Sequence, residues 1–123
     1  MAIDLSSLES HKITILVHYG EEDLEFYAER PTTEERVCYR REVIACFNRR
    51  GRADVEKLTR IQVRWAKKKL TGFREGDLLE NGQPLNPAEA RWKDMLEEKA
   101  PEILQAICDR LFETPEVDLG NPR

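Results

Sequence analysis

The sequence contains few of the residues on which metal sites and catalytic centres depend. It has three cysteines and two histidines among 123 residues, and no pair of them has the spacing of a structural zinc site. Cys38, Cys46 and Cys108 are odd in number and widely spaced, which favours buried free thiols over a disulfide framework and indicates a reducing compartment. We therefore expect no metal and no cofactor.

Catalytic motifs are missing as well. A nucleophilic cysteine needs a nearby base, but His11 and His18 lie in or beside the first predicted strand and no local motif pairs them with a thiol. The segment from Gly72 to Gly76 contains two glycines, yet it follows a predicted helix and lacks the Gly-Lys-Ser/Thr ending of a P-loop. These patterns predict a protein that is not an enzyme.

Long apolar runs are absent. The longest are a few residues, such as Ile15-Leu16-Val17, whereas a membrane-spanning helix needs about 20 residues. Residues 1–10 lack the basic start and the apolar stretch of a secretory signal. We expect a cytoplasmic protein that has no membrane partner.

Charge is abundant but unevenly distributed. The formal net charge is -4, whereas residues 34–69 hold 12 Lys and Arg against 5 Asp and Glu, a local net charge of +7. A basic segment between acidic ends allows internal pairing, and it also allows a one-sided field that steers a charged partner. Nucleic-acid binding is therefore one functional alternative. Its candidate residues are Arg49, Arg50, Arg52, Arg60, Arg64, Lys67, Lys68 and Lys69.

The order of apolar patterns predicts a single α+β domain, in which an N-terminal β-hairpin precedes a bundle of about four helices. Residues 12–19 and 24–29 alternate with a period of two around a turn at 20–23, so 12–29 should form the hairpin. An isolated hairpin is marginally stable in water, so its apolar face must pack on the helices or on another subunit, and a homo-oligomer is one expectation. We expect a flexible arm at 1–10 and a disordered tail at 114–123.

The helical region is predicted over 33–113. Thr32 and Glu35 have the spacing of a capping box, which begins a first helix of about 33–49. A second helix is expected over 53–70, ended by Gly72 at positive φ. The apolar stripes expected to face the core are Val37, Val43, Ile44 and Phe47 on the first helix and Val55, Leu58, Ile61 and Trp65 on the second.

The segment 71–86 has no helical period and is predicted to be an ordered loop packed on the core, with a primed turn at Asn81-Gly82. Asn86 should cap the next helix, with Pro87 at its first position. Pro101 either kinks that helix or opens a last one. Trp65 and Trp92 lie on apolar stripes, where they could pack in the core or contact a partner.

Several segments together resemble a known family. They are the stretch Phe26-Tyr27-Ala28-Glu29-Arg30-Pro31-Thr32-Thr33-Glu34-Glu35, the turn Leu70-Thr71-Gly72-Phe73, the turn Asn81-Gly82-Gln83-Pro84-Leu85-Asn86-Pro87, and a terminal helical pair joined near Pro101 with Ile103-Leu104-Gln105-Ala106-Ile107. In this order they resemble the phage tail assembly chaperones and related prophage tail-region proteins. The similarity covers about four fifths of the chain.

The resemblance implies a small non-catalytic protein in the cytoplasm of a bacterial host. Such a protein keeps the tape measure protein soluble during tail assembly and helps recruit tail-tube subunits. An apolar docking face for long helical clients is its main physical requirement. The candidate partner-binding residues are Trp65, Phe73, Trp92, Met95 and Phe112.

Overall fold

The computed structural model describes residues 12–113, so the arm predicted at 1–10 and the tail predicted at 114–123 lie outside it. The elements are β1 (Lys12–Tyr19), β2 (Glu22–Glu29), α1 (Thr33–Ile44), α2 (Val55–Lys69), β3 (Leu70–Phe73), β4 (Leu79–Glu80), β5 (Gln83–Pro84), α3 (Arg91–Lys99) and α4 (Pro101–Phe112). The predicted α+β fold, in which an N-terminal hairpin precedes four helices, is confirmed for the described residues.

The hairpin forms as the alternating pattern predicts. β1 and β2 pair antiparallel with Ile15 opposite Phe26 and Val17 opposite Leu24. These side chains are buried on one face of the sheet. Gly20 has a φ of 65°, which suits the first position of a two-residue primed turn. The turn and the apolar alternation therefore specify the same register.

A third strand was not predicted. β3 pairs antiparallel with β2, with Phe73 opposite Phe26 and Gly72 opposite Tyr27, which gives the sheet order β1-β2-β3. The prediction that Gly72 ends a helix at positive φ is wrong. α2 ends at Lys69, and Leu70 adopts an extended conformation that continues directly into β3. Four residues are too few to show the strand period in the sequence.

Two helix boundaries differ from those predicted. The capping box of Thr32 and Glu35 is confirmed, but α1 ends at Ile44 rather than near 49, and α2 begins at Val55 after the cap Asp54. Residues 45–54 form a compact connection in which Phe47 and Ala53 make an isolated β-bridge. Strand-like pairing thus replaces the last expected turn of α1.

The segment 71–86 is ordered, but it is less irregular than predicted. Beyond β3 it contains the small hairpin β4-β5, whose turn places Asn81 at a φ of 51° and Gly82 at 80°. These values confirm the primed turn.

The helix predicted to start at Pro87 begins only at Arg91, and its capping position is Ala90, without a side-chain cap. Asn86 instead accepts a hydrogen bond from the backbone N–H of Ala88 at 2.9 Å, which closes a turn before the helix. Pro101 opens the separate helix α4.

The core lies between the inner face of the sheet and helices α2, α3 and α4. Trp92 packs against Phe26 and Phe73 with ring centroids 6.3 and 4.9 Å away, and its indole N–H donates to the Pro87 carbonyl at 3.1 Å. α4 contributes a fully buried stripe that includes Leu104 and Ile107. No helix within residues 12–113 is both long and apolar enough to cross a bilayer.

Candidate partner-binding surface

The five predicted partner contacts divide into core and surface residues. Trp65, Phe73 and Trp92 are buried in the core of the monomer. Met95 and Phe112 are half-buried and pack against the same core. Three of the five side chains are therefore inaccessible to a partner in this conformation. Of the two alternatives for Trp65 and Trp92, core packing or partner contact, the structure shows core packing.

Met95 contributes to a small groove of about 120 Å³ between the β4-β5 hairpin and α3. Leu79, which is exposed, lies at its edge. A cavity of this volume admits one side chain and is far smaller than the several hundred Å³ typical of ligand pockets. It is too small to account for the docking of a helix.

Most of the predicted basic surface is neutralised by ion pairs within the chain. On α2, Arg64 pairs with Glu42, and Lys67 contacts both Asp94 and Glu97 at 2.7 and 2.6 Å. The remaining pairs of α2 are Arg60 with Glu56, Lys68 with Glu35, and Lys69 with Glu35 and Glu29. The candidate nucleic-acid residues on α2 therefore already have carboxylate partners, with which a phosphate would have to compete.

The α1 helix is attached to the rest of the protein by polar and aromatic contacts. Glu35 at its start accepts a hydrogen bond from the buried Lys69 at 2.8 Å, and Glu42 near its end accepts one from the Trp65 indole at 2.9 Å. Between them, the Tyr39 ring stacks on Phe112 with centroids 4.0 Å apart. No side chain of α1 is fully buried.

The pKa values of these groups reflect the same contacts. Burial raises the pKa of Glu42, but the hydrogen bonds from Arg64 and Trp65 outweigh it and leave the pKa below its usual value. Burial also raises the pKa of Glu35, but the hydrogen bonds that its carboxylate accepts from Lys69 and from the Thr32 backbone N–H outweigh this effect and lower the pKa below its usual value. Both carboxylates are therefore ionised at neutral pH, as the attachment of α1 requires.

The opposite side of α1 faces solvent and carries apolar residues that were predicted to face the core. That prediction is wrong for Val37, Ile44 and Phe47, which are 45%, 63% and 44% exposed, and for Val55, which is 70% exposed. Residues 37, 40, 41 and 44 share one helix face because they are three, four and seven positions apart. We define the outer α1 surface as Val37, Arg40, Arg41, Ile44, Phe47 and Val55.

The connection between α1 and α2 holds this surface in shape. The backbone N–H of Asp54 donates to the carbonyl of Cys46 at 2.7 Å, which places the start of α2 beside the end of α1. Asn48 accepts hydrogen bonds from the backbone N–H groups of Arg50 and Arg52 at 2.8 and 3.0 Å. Phe47 and the arginines of the connection are thus presented by an ordered loop, and Val55 is the first residue of α2 that follows it.

The cysteines and histidines do not assemble into a reactive group within residues 12–113. Cys46 and Cys108 are buried, whereas Cys38, expected to be buried, is exposed. Burial raises the pKa of the Cys108 thiol to about 12, so it stays protonated. His18 is exposed and hydrogen-bonds to Asp23 across the hairpin end, and His11 lies outside the described residues.

No metal site is evident among the described residues, where no group of three or more His, Cys, Asp or Glu side chains is arranged to hold an ion. The outer α1 surface is consequently the feature of this part of the chain that most needs a functional explanation. Comparison with protein-family models, curated proteins and solved structures gave no match to this chain.

Proposed function

We propose that this chain is a non-catalytic tail assembly chaperone of a phage or prophage, and that it binds a tape measure protein and keeps it soluble during tail morphogenesis. The sequence resemblance supports the choice of family. The outer α1 surface is the observation that carries the binding role, because it offers apolar side chains to solvent on a helix that contributes no fully buried residue to its own core.

An exposed apolar helix face is costly to keep unless something covers it, and it matches the way that proteins bind amphipathic helices in trans. Val37 and Ile44 lie two turns apart, a span of about 10 Å along α1. Phe47 and Val55 are exposed beyond the end of the helix, where the hydrogen bond from Asp54 to the Cys46 carbonyl places the start of α2 beside the end of α1. This arrangement supports docking of one helical segment of a client better than docking of a compact ligand.

The alternative, nucleic-acid binding, has less support. It needs several cations free to neutralise phosphates, whereas the cations of α2 already pair with carboxylates of the same chain. Arg49, Arg50 and Arg52 remain exposed in the connection after α1. Apolar side chains beside them would face a sugar-phosphate backbone without a matching surface.

Co-expression tests the proposal. The chain is produced together with the tape measure protein encoded in the same phage or prophage, and the soluble fraction of that protein is measured with and without the chain. We expect its soluble amount to rise several-fold. A tape measure protein that stays insoluble, or that is equally soluble alone, would contradict the chaperone role.

Matched variants locate the docking site. Ile44→Ser with Val55→Ser should abolish most of the gain in soluble tape measure protein, because it removes apolar side chains from the proposed docking surface. The fold should be retained, since both side chains are exposed and their loss costs little stability. Leu16→Ser with Leu79→Ser is the control, since these residues are 50% and 56% exposed on other parts of the molecule. Equal effects of the two pairs would exclude the outer α1 surface as the client site.

A further inference from the structure

Five arginines accompany the exposed apolar side chains of the outer α1 surface. Among residues 12–113, none of the five lies within ion-pair distance of a carboxylate. They are Arg40, Arg41, Arg49, Arg50 and Arg52, and all are exposed. Exposed cations without an ion pair among residues 12–113 thus occur on α1 and the connection after it, the same part of the chain that carries the exposed Val37, Ile44 and Phe47.

The positions of two arginines on α1 define the geometry that a partner must match. Val37 and Ile44 form a line along the exposed side of the helix, and Arg40 and Arg41 flank this line on opposite sides because successive residues are separated by about 100°. In helix pairs, charges that flank an apolar seam select partners that carry the opposite charge. A complementary helix would therefore have an apolar stripe with acidic residues on both sides.

The other three arginines extend the positive charge beyond the end of α1. Asn48 fixes the backbone of this connection through its bonds to Arg50 and Arg52, and Gly51 adopts a φ of 75° that closes the turn. Because the loop is already ordered, little conformational entropy is lost when a partner binds. The basic end of the surface is therefore suited to the acidic first turn of a helix, or to acidic residues that precede it.

We infer that the outer α1 surface binds an acidic amphipathic helix of a partner protein. The inference rests on the proposed function, because it specifies the chemistry of the client segment that the surface would select. Exposed Ile44, Phe47 and Val55 favour a polypeptide over a nucleic acid, since a phosphate backbone provides charge without an apolar stripe.

Two synthetic helical peptides of 21 residues, about six helical turns each, provide the test. Both carry leucine at every third or fourth position, with glutamate at the flanking positions in one and lysine in the other. Fluorescence anisotropy of the labelled peptides is measured against the full chain at low and high salt. We expect the acidic peptide to bind at least about tenfold more tightly than the basic one, with an affinity that falls as salt rises.

Charge reversal then tests the site. Arg49→Glu with Arg50→Glu should weaken binding of the acidic peptide about tenfold or more. Arg91→Glu with Lys99→Glu changes the net charge equally on α3 and should leave binding within about twofold. Ile44→Ser with Val55→Ser should also weaken it, which separates docking on this surface from general attraction between charges.

The inference is overturned by equal binding of both peptides, by no binding of either, or by equal effects of the two charge reversals. A short DNA duplex that binds more tightly than the acidic peptide and responds to Arg49→Glu with Arg50→Glu would also overturn it, in favour of nucleic acid. Failure here is distinguishable from failure of the chaperone role, since a tape measure protein could still be solubilised through another surface. Conversely, selective binding of the acidic peptide without any effect on the tape measure protein would support the binding of an acidic helix by the outer α1 surface and exclude the tape measure protein as its client.

Discussion

The contact between Lys69 and Glu35 is the strongest candidate for the interaction that fixes α1 to the rest of the fold. The Lys69 ammonium lies 2.8 Å from Glu35 and 3.8 Å from Glu29, and the Lys69 side chain is only 7% exposed. Glu35 also accepts the backbone N–H of Thr32 at 2.9 Å as part of the capping box. Removing the ammonium therefore leaves a poorly hydrated carboxylate with fewer partners.

The magnitude follows from this geometry. Breaking a fully buried ion pair costs about 3–5 kcal/mol because one charge is left uncompensated. Glu35 is 18% exposed and retains Lys68 at 3.7 Å, so we expect Lys69→Met to lower the free energy of unfolding by about 2 kcal/mol. Glu35→Gln should cost about the same, and the double variant about 2 kcal/mol in total, since the second change finds no partner to lose.

A double-mutant cycle measured by urea unfolding checks this prediction, with far-ultraviolet circular dichroism as the signal. The control cycle uses Glu56→Gln and Arg60→Met, whose side chains are 74% and 76% exposed and should couple by less than about 0.5 kcal/mol. If the coupling between residues 35 and 69 is no larger than that of the control pair, the attachment of α1 does not depend on this contact. A changed denaturant slope in the single variants would show that the native state itself has altered.

Three further outcomes are expected. Lowering the pH from about 6 to about 3 should destabilise the fold, because the pKa values of Glu35 and Glu42 are lowered in the folded state and their stabilisation is lost as they become protonated. Burial raises the pKa of Asp109, which opposes this trend. The melting temperature of Glu42→Gln should therefore depend less steeply on pH than that of the wild type. Trp92→Ala should lower the free energy of unfolding by about 4 kcal/mol, as measured in urea, since the ring is buried among aromatic side chains. Gly82→Ala should cost about 1 kcal/mol, seen by hydrogen exchange at the β4-β5 hairpin, because its φ is 80°; an unchanged exchange rate would show that the turn tolerates a side chain.

The sequence predicts best the features that depend on neighbouring residues. The capping box at Thr32, the hairpin of residues 12–29 and the primed turn at Asn81-Gly82 all use contacts within a few positions, and the structure confirms each of them. β3 depends on a partner strand more than 40 positions earlier in the chain. Its pairing with β2 is a tertiary interaction that overrides the helix-stop pattern of Thr71-Gly72.

Burial was harder to predict than secondary structure, because a helix with apolar residues on two sides does not reveal which side faces inward. The inner side of α1 is defined by Glu35, Tyr39 and Glu42, whose partners Lys69, Phe112 and Trp65 come from distant parts of the chain. The side that carries Val37 and Ile44 is left exposed. Trp65, Phe73 and Trp92, predicted as partner contacts, are thus buried, whereas Val37, Ile44, Phe47 and Val55, predicted to face the core, are exposed; Ile61 and Trp65 of the second predicted stripe do lie in the core.

Ion pairs between distant parts of the chain account for part of the charge asymmetry of the sequence. Lys67 and Lys69 near the end of α2 pair with acidic residues outside the basic segment, namely Asp94, Glu97 and Glu29. The other paired cations of α2 use carboxylates of the basic segment itself. Along α1 and its following loop, the exposed Arg40, Arg41, Arg49, Arg50 and Arg52 form no ion pair with a carboxylate of residues 12–113. Because the field of a protein acts on a partner through its local pattern, a chain of negative net charge can still present a basic, apolar surface to an acidic helix.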